Sequence, residues 1–212
     1  MDQNINIDKF NSFIRFQNFI QSHFIFNLLN SIQNLVLSDD KEKTLEYFSL
    51  FGKYFRYLTE FISLTEILFE DEIEFLNLYL TLQKFRYKER FNYQISIHNF
   101  NSQKKEIIKI KPFIICLFVE NAIEARLFHL KEHGKLSIEI SNMENNLLVT
   151  IIDNGISIHE STELNKWKNF DQNVLLDNTL NFYNIEILEL NDSQSNHIGT
   201  KILLYIDKYC QN

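Results

Sequence analysis

The first part of the chain contains one long apolar run, FNSFIRFQNFIQSHFIFNLLNSIQNLVL (residues 10–37). Large apolar residues recur through it at helical spacing, and neither glycine nor proline interrupts it. This pattern predicts a single long helix. Its apolar stripe is wider than contact with one neighbour requires, so we expect a bundle that includes helices of a second chain. The stripe comprises Phe13, Phe16, Ile20, Phe24, Leu28, Ile32 and Leu35.

The rest of the chain divides into a helical part and a mixed part. Helices are expected at 41–62 and 70–87, with Ser38-Asp39-Asp40 able to cap the first of them. Beyond residue 90, helices are predicted from Pro112 to about 130 and near 180–190. Strands are predicted at 93–98, its candidate partner 107–110, 135–141, 147–152 and 200–206. The expected fold class is α+β, with a helical module at 1–90 and an α/β domain at 91–212.

Composition and charge narrow the possible functions. The chain has 212 residues, of which 45% are hydrophobic and 23% charged, as is usual for globular proteins. Its net charge of −7 argues against a nucleic-acid binder and against docking on anionic membranes. Cys116 and Cys210 form neither a disulfide framework nor a metal spacing. No signal peptide or apolar stretch of membrane-spanning length is apparent, so we expect a cytoplasmic protein without a membrane span.

One histidine lies inside the long apolar run, within Ser22-His23-Phe24-Ile25-Phe26-Asn27. A single histidine on a helix is more often a structural residue than a reactive one. The alternative is nucleophilic chemistry, since a neutral imidazole nitrogen can accept a phosphoryl group and pass it on.

Three short patterns in the second half have candidate roles in binding. Val119-Glu120-Asn121-Ala122 places an amide in a predicted helix, where its carbonyl oxygen can ligate magnesium. Asp153-Asn154-Gly155 follows a predicted strand and suits a turn, but its carboxylate can also accept a hydrogen bond from an adenine amine. Gly199-Thr200 precedes the last strand and also suits a turn. None of the three is decisive alone.

In their order and spacing, these patterns resemble the LytS/YehU-type sensor histidine kinases over residues 17–206. The family's Pro-His-Phe-Leu-Phe-Asn motif is matched by Ser22 to Asn27, and its N box by Val119 to Ala122. Its Asp-Asn-Gly box and its Gly-Thr pair are matched by Asp153 to Gly155 and by Gly199-Thr200. Further similarities are Phe55-Arg56-Tyr57, Glu72, Tyr79, Gln83, Arg86 and Lys111-Pro112.

The resemblance implies a helical dimerisation and phosphotransfer module followed by an ATP-binding α/β sandwich of the GHKL type. It implies that His23 takes the γ-phosphoryl group of ATP and passes it to the receiver domain of a response regulator. Asn121 would then hold Mg²⁺ and Asp153 would read adenine. A homodimer and a separate sensor partner are expected. The remaining pocket residues would be Gly155, Asn184, Gly199 and Thr200.

The sequence departs from the family where phosphate should bind. Ser157 replaces the second glycine of the Asp-Asn-Gly-x-Gly box, and 179–184 retains Asn184 but neither glycine of a glycine-rich segment. Leu188 stands where the family has an arginine, and Glu124 and Ala125 replace a basic residue and a histidine. Glycine lets backbone amides approach phosphate closely, so these losses favour an alternative function. That alternative is a catalytically impaired phosphotransfer or scaffold protein with a degenerate ATP site; a pure interaction module is a third.

His129-Leu130-Lys131-Glu132-His133 also matches an inverted zinc-protease signature. Two imidazoles four residues apart on a helix can share a zinc ion. Gly134 follows directly, however, and favours a helix end at which histidines complement the helix dipole. We therefore prefer the helix-end interpretation.

Overall fold

The computed structural model describes residues 22–37, 40–87, 90–100, 107–130, 133–157 and 183–208. These residues form two compact units. The described part of the helical unit is 22–37, 40–87 and 109–117, and the other described residues form the sheet unit. Helices followed by a mixed sheet confirm the predicted α+β fold class. The boundary between 1–90 and 91–212 stays a prediction, and 109–117 groups with the helices.

The helical unit is built on three helices, α1 (Ser22–Leu37), α2 (Lys41–Phe61) and α3 (Phe69–Tyr87). The predicted helices are confirmed within the described residues, and 10–21 lies outside them. Asp40 caps α2, because its carboxylate accepts the Lys43 backbone N–H at 3.2 Å. This cap fixes the residue at which α2 begins.

Aromatic side chains fill the core of the helical unit. Tyr54 of α2 stacks on Phe75 of α3 with ring centroids 4.8 Å apart, and Phe75 also contacts Phe113 at 4.9 Å. Tyr47 meets Phe85 edge-on at 5.4 Å. Offset and edge-to-face geometries such as these stabilise beyond the area they bury. Contacts between aromatic side chains therefore make up much of the packing between the buried faces of α2 and α3.

A small two-stranded sheet corrects one predicted pairing. The segment β3 (Lys109–Ile110) pairs antiparallel with β1 (Ile67–Leu68), not with the strand at 93–98. Ile67 lies opposite Ile110, and both are buried. The predicted pairing of 107–110 with 93–98 is therefore wrong. Burial of Ile67 against Ile110, 43 positions apart in sequence, determines the pairing instead.

A buried glutamate holds the start of helix α4 (Ile114–Asn121). The Glu72 carboxylate accepts backbone N–H groups of Phe113 at 2.7 Å, Ile115 at 2.9 Å and Cys116 at 3.1 Å. The first amides of a helix have no partners within it, so this carboxylate serves as their cap. Burial raises the pKa of Glu72 to about 7, although the three N–H donors act to lower it.

The sheet unit contains five described strands in the order β2-β4-β5-β7-β6. Their bounds are β2 Phe91–His98, β4 Gly134–Asn142, β5 Asn146–Asp153, β6 Tyr183–Asn191 and β7 His197–Asp207. The β2 and β4 strands run parallel, and the other pairs are antiparallel. The predicted strands at 93–98, 135–141, 147–152 and 200–206 are confirmed, as is the β4–β5 pairing.

The predicted helix near 180–190 is wrong within the described residues. Tyr183–Asn191 is instead a strand that pairs antiparallel with β7. The segment has apolar residues at spacings that suit either structure, and a short apolar run does not separate the two. Pairing with β7 decides in favour of a strand, because it satisfies backbone groups that β7 would otherwise expose.

No helix in the described residues has the length and apolar character needed to cross a membrane.

The predicted helix from Pro112 to about 130 is an α-helix only in its first part, and two other helical types follow. After α4 comes a π-helical turn, Ala122–Arg126, and then a 3₁₀ turn, Leu127–His129. The wider π turn changes which side chains after Asn121 face the core.

Glu72 should make stability depend on pH. Its folded-state pKa of about 7 exceeds the ordinary 4.5, so the folded chain binds this proton more tightly. The resulting stabilisation is complete below pH 4.5 and is lost as pH rises through 7, a change of up to about 3 kcal/mol. Urea unfolding followed by circular dichroism should show this pH dependence in the wild type. Glu72→Gln should lack it.

Glu70→Gln is the matched control for this measurement, because Glu70 is exposed on the first turn of the same helix. We expect it to keep the wild-type pH dependence. A difference in unfolding free energy between wild type and Glu72→Gln that stays constant from pH 4.5 to 8 would contradict the assignment.

Candidate functional site

Two of the predicted site motifs meet at one end of the sheet. Asp153, the last residue of β5, lies opposite Thr200 of β7, and Thr200 lies opposite Glu189 of β6. Gly199 packs so closely that a Cβ there would overlap the carbonyl oxygen of Asp153. The backbone of Gly199 also has φ of 155°, which side chains disfavour. The register of the β5–β7 pair thus brings the Asp153-Asn154-Gly155 motif next to Gly199-Thr200.

The Asp153 carboxylate is engaged by a buried arginine. Arg126 is 3% exposed and Asp153 is 2% exposed. Arg126 Nε donates to both carboxylate oxygens, at 3.2 and 3.0 Å, and its Nη2 donates to Oδ2 at 2.6 Å. This two-pronged geometry is the strong form of an arginine–carboxylate pair. The role of Asp153 as adenine reader stays a prediction, and in this structure its oxygens already have an internal partner.

Gly155 completes the same group. Its backbone N–H donates to Asp153 Oδ1 at 2.9 Å. A Cβ at this position would lie 2.9 Å from the backbone carbonyl carbon of Arg126 and would overlap the Arg126 Cβ. The family resemblance placed Gly155 in the nucleotide pocket. In this structure, the missing Cβ of Gly155 leaves room for Arg126.

Asn121, the predicted magnesium ligand, ends α4 and lies half-buried just before the π turn. Its side chain makes no capping hydrogen bond to that turn. The turn buries Ala122, Ile123, Ala125 and Arg126. Magnesium ligation by Asn121 stays a prediction, supported here by an amide that is not used as a cap.

Other polar groups surround the end of β5. Ser157, which occupies the position of the missing glycine, donates its hydroxyl to Glu189 Oε1 at 2.7 Å. His197 Nε2 lies 3.1 Å from the carbonyl oxygen of Gly155 and can donate to it. Thr200 Oγ1 is buried and has no hydrogen-bond partner among the described residues. Buried hydroxyls usually have one, so Thr200 Oγ1 is an unsatisfied group beside Asp153.

Asn184 is not brought to this group. It lies on β6 opposite Tyr205, whereas Glu189 lies beside Thr200. Five residues of extended strand separate Asn184 from Glu189, which is about 16 Å. Its predicted role in the pocket therefore receives no geometric support.

His23 lies in the first turn of α1, and its side chain falls outside the described residues. The role of His23 as the phosphoryl acceptor therefore stays a prediction.

The zinc alternative is not supported by the local backbone. His129 ends the 3₁₀ turn, and Leu130 after it is extended, with φ of −67° and ψ of 140°. His129 and His133 therefore do not share a helical face. The described ranges contain no group of three or more histidine, cysteine or acidic side chains suited to a metal ion.

Arg126 belongs to the site, although none of the sequence motifs indicated it. It directly follows Glu124 and Ala125, which occupy the positions of the expected basic residue and histidine. The available signal was a charged residue within an apolar stretch that includes Ile123 and Leu127. Arginine is rarely buried without a partner, so its position indicated an acidic residue nearby.

Comparisons with known proteins agree with the motifs. A family model described as Histidine kinase matches residues 12–91. Sensor protein LytS of Staphylococcus epidermidis is 30% identical over 139 residues, covering 66% of this chain and 23% of the relative. Sensor histidine kinase BtsS of Escherichia coli is 30% identical over 139 residues, covering 64% and 23%. The chain thus spans about a quarter of the length of these relatives.

Two histidine kinases are among the solved structures with partial similarity to this chain. The catalytic domain of histidine kinase ThkA has a TM-score of 0.45 at 18% identity, covering 68% of this chain and 95% of that one. Histidine kinase AdeS of Acinetobacter baumannii has a TM-score of 0.46 at 14% identity, covering 91% and 98%.

The tight packing at the end of β5 can be tested with two glycine substitutions. Gly199→Ala should destabilise the chain by roughly 1–3 kcal/mol, because the new methyl group meets the Asp153 backbone. Gly52→Ala in α2 is the control, since a Cβ added there would meet nothing within 4 Å. That change should stabilise the chain by roughly 0.5–1 kcal/mol. Equal effects in thermal unfolding would contradict the described packing.

Proposed function

Because this chain is similar to histidine kinases, including LytS-type sensor proteins, we propose that it is the phosphotransfer and ATP-binding core of a two-component kinase. The γ-phosphoryl group of ATP is transferred to an imidazole nitrogen of His23, with ADP leaving. The group then passes to an aspartate in the receiver domain of a response regulator. The cytoplasm, which holds ATP, is the proposed location.

One observation supports the proposal independently of the similarity to histidine kinases. The register of β5 and β7 sets Asp153 beside Thr200, with Gly199 packed on the Asp153 backbone. Two motifs separated by more than forty residues thereby form a single group. Coincidental turns would have no reason to meet in this way.

The described residues fit ATP and Mg²⁺ at some positions and not at others. Thr200 offers a buried hydroxyl with no partner among the described residues, and Asn121 offers an amide not used as a cap. We assign Thr200 to nucleotide binding and Asn121 to magnesium. Asp153 is satisfied by Arg126, so contact with adenine requires this pair to rearrange.

This occupied carboxylate favours a second candidate function. A chain whose base-reading oxygens are already bonded, and whose phosphate-binding glycines are reduced, can retain phosphotransfer without using ATP. It would then act as a phosphotransfer protein or scaffold. The two candidates differ in whether the purified chain labels itself from ATP.

Exposed apolar side chains on α1 and α2 support a homodimer. Each helix buries one stripe in its own chain, represented by Leu28 and Tyr47. Each also exposes large apolar groups, of which Leu45 is 71% exposed and Phe48 is 49% exposed. Leu28 is fully buried within the chain, so it belongs to the intramolecular core. The further exposed members are Leu29, Val36, Leu37 and Phe55.

Labelling with γ-³²P ATP separates the two functions. If the chain is a kinase, the purified protein should acquire label that survives base and is lost in acid, as phosphohistidine does. His23→Gln should abolish this label. His98→Gln should retain it, because His98 is exposed at the end of β2 and outside the proposed site. Absence of label on the wild-type protein would contradict the kinase function and support the phosphotransfer or scaffold function.

The dimer surface is tested by Phe48→Glu. A carboxylate placed in an apolar interface is desolvated, so the dimer dissociation constant should rise by roughly 100-fold. Ser49→Glu adds the same charge at the next, also exposed, position and should have little effect. Sedimentation velocity reports both. A wild type that is monomeric at micromolar concentration would contradict the proposed dimer.

A further inference from the structure

The Arg126–Asp153 pair uses the acceptor capacity on which base recognition depends. A carboxylate offers about four lone-pair directions, two on each oxygen. Oδ1 accepts the Gly155 N–H at 2.9 Å and Arg126 Nε at 3.2 Å. Oδ2 accepts Arg126 Nε at 3.0 Å and Nη2 at 2.6 Å. Arg126 Nε carries a single hydrogen that both oxygens share, so three N–H groups bond the carboxylate, and an incoming amine competes with them.

The pair is also enclosed. Its side chains are 4% and 0% exposed, for Arg126 and Asp153 respectively. The backbone of Gly155 lies against Arg126, and the backbone of Gly199 lies against Asp153. A ligand that reaches Asp153 must move the guanidinium and not merely share the carboxylate with it. Breaking a buried ion pair is costly, because it leaves a charge without its partner.

The hydrogen-bonding groups of adenine and Asp153 predict how removal of the Arg126 guanidinium changes the affinity for the base. Adenine presents an N–H donor, and Asp153 without Arg126 presents a buried acceptor that lacks a donor. Removing the guanidinium therefore both opens the site and leaves Asp153 in need of a donor. The amine of adenine then supplies that N–H donor.

We propose that Arg126 is a latch on the base-binding site, which competes with adenine for Asp153 and keeps the site closed. This rests on the proposed function in one respect, the assignment of Asp153 as the base-reading carboxylate. Nucleotide binding then requires Arg126 to leave Asp153. Base affinity is limited by the latch in addition to the missing phosphate contacts.

The test is calorimetric titration of the full chain with Mg·ADP, a probe that lacks the γ-phosphate. Arg126→Met removes the guanidinium but keeps a long side chain, and it should bind ADP about tenfold or more tighter than wild type. Arg126→Lys keeps a charge beside Asp153 and should bind with intermediate affinity. Arg90→Met removes an exposed arginine just before β2 and should match wild type.

The double variant Arg126→Met, Asp153→Asn identifies the acceptor. It should bind no tighter than wild type, because the gain in the single variant depends on the carboxylate. Circular dichroism checks folding, and if Arg126→Met does not fold, the Arg126→Lys comparison decides. A folded variant without tighter ADP binding overturns the latch. So does a wild type that binds ADP while the Arg126 Nε–H resonance stays unchanged in nuclear magnetic resonance spectra.

These outcomes are separable from failure of the proposed function. Labelling of wild-type His23 without a gain in Arg126→Met would support the kinase and remove the latch. Tighter ADP binding by Arg126→Met, with no label on His23 in either protein, would support the latch and remove the kinase.

Discussion

The buried ion pair between Arg126 and Asp153 constrains the whole end of the sheet. Two charges removed from water are stable together only when their geometry is close to ideal and their remaining hydrogen-bonding groups are satisfied. Here the Gly155 N–H supplies one of those extra bonds. The chain has only four glycines, and Gly155 and Gly199 are required by packing around this pair. The π turn and the start of β7 are therefore both tied to the end of β5.

The helical unit solves a similar problem without a cation. Glu72 is buried, and three backbone N–H groups at the start of α4 take the place of an arginine. Amide donors carry only partial charge, so desolvation dominates and the pKa of Glu72 rises to about 7. A full guanidinium charge is available to Asp153 instead. The two units thus satisfy a buried carboxylate with different donors.

The similarity to histidine kinases and the detailed site geometry favour different parts of the proposed function. The family and the ordered motifs support ATP use and phosphotransfer through His23. The geometry supplies a buried Thr200 hydroxyl without a hydrogen-bond partner among the described residues, and an Asp153 carboxylate that is already paired. A kinase whose base site is restrained by its own arginine accommodates both observations. A phosphotransfer scaffold does so as well, provided that the arginine never leaves.

By itself, the sequence determined the helices α1 to α3, the β4–β5 hairpin and the last strand, because periodicity and capping are local properties. It also indicated the resemblance to histidine kinases, through motifs such as Asp153-Asn154-Gly155 that can be recognised without knowing the fold. Only the tertiary structure decided that Lys109–Ile110 pairs with Ile67–Leu68, that Tyr183–Asn191 is a strand and that Asn184 lies far from Asp153. The partner of Arg126 was decided in the same way. These outcomes depend on which distant residues share a buried environment, and spacing along the chain carries no record of that.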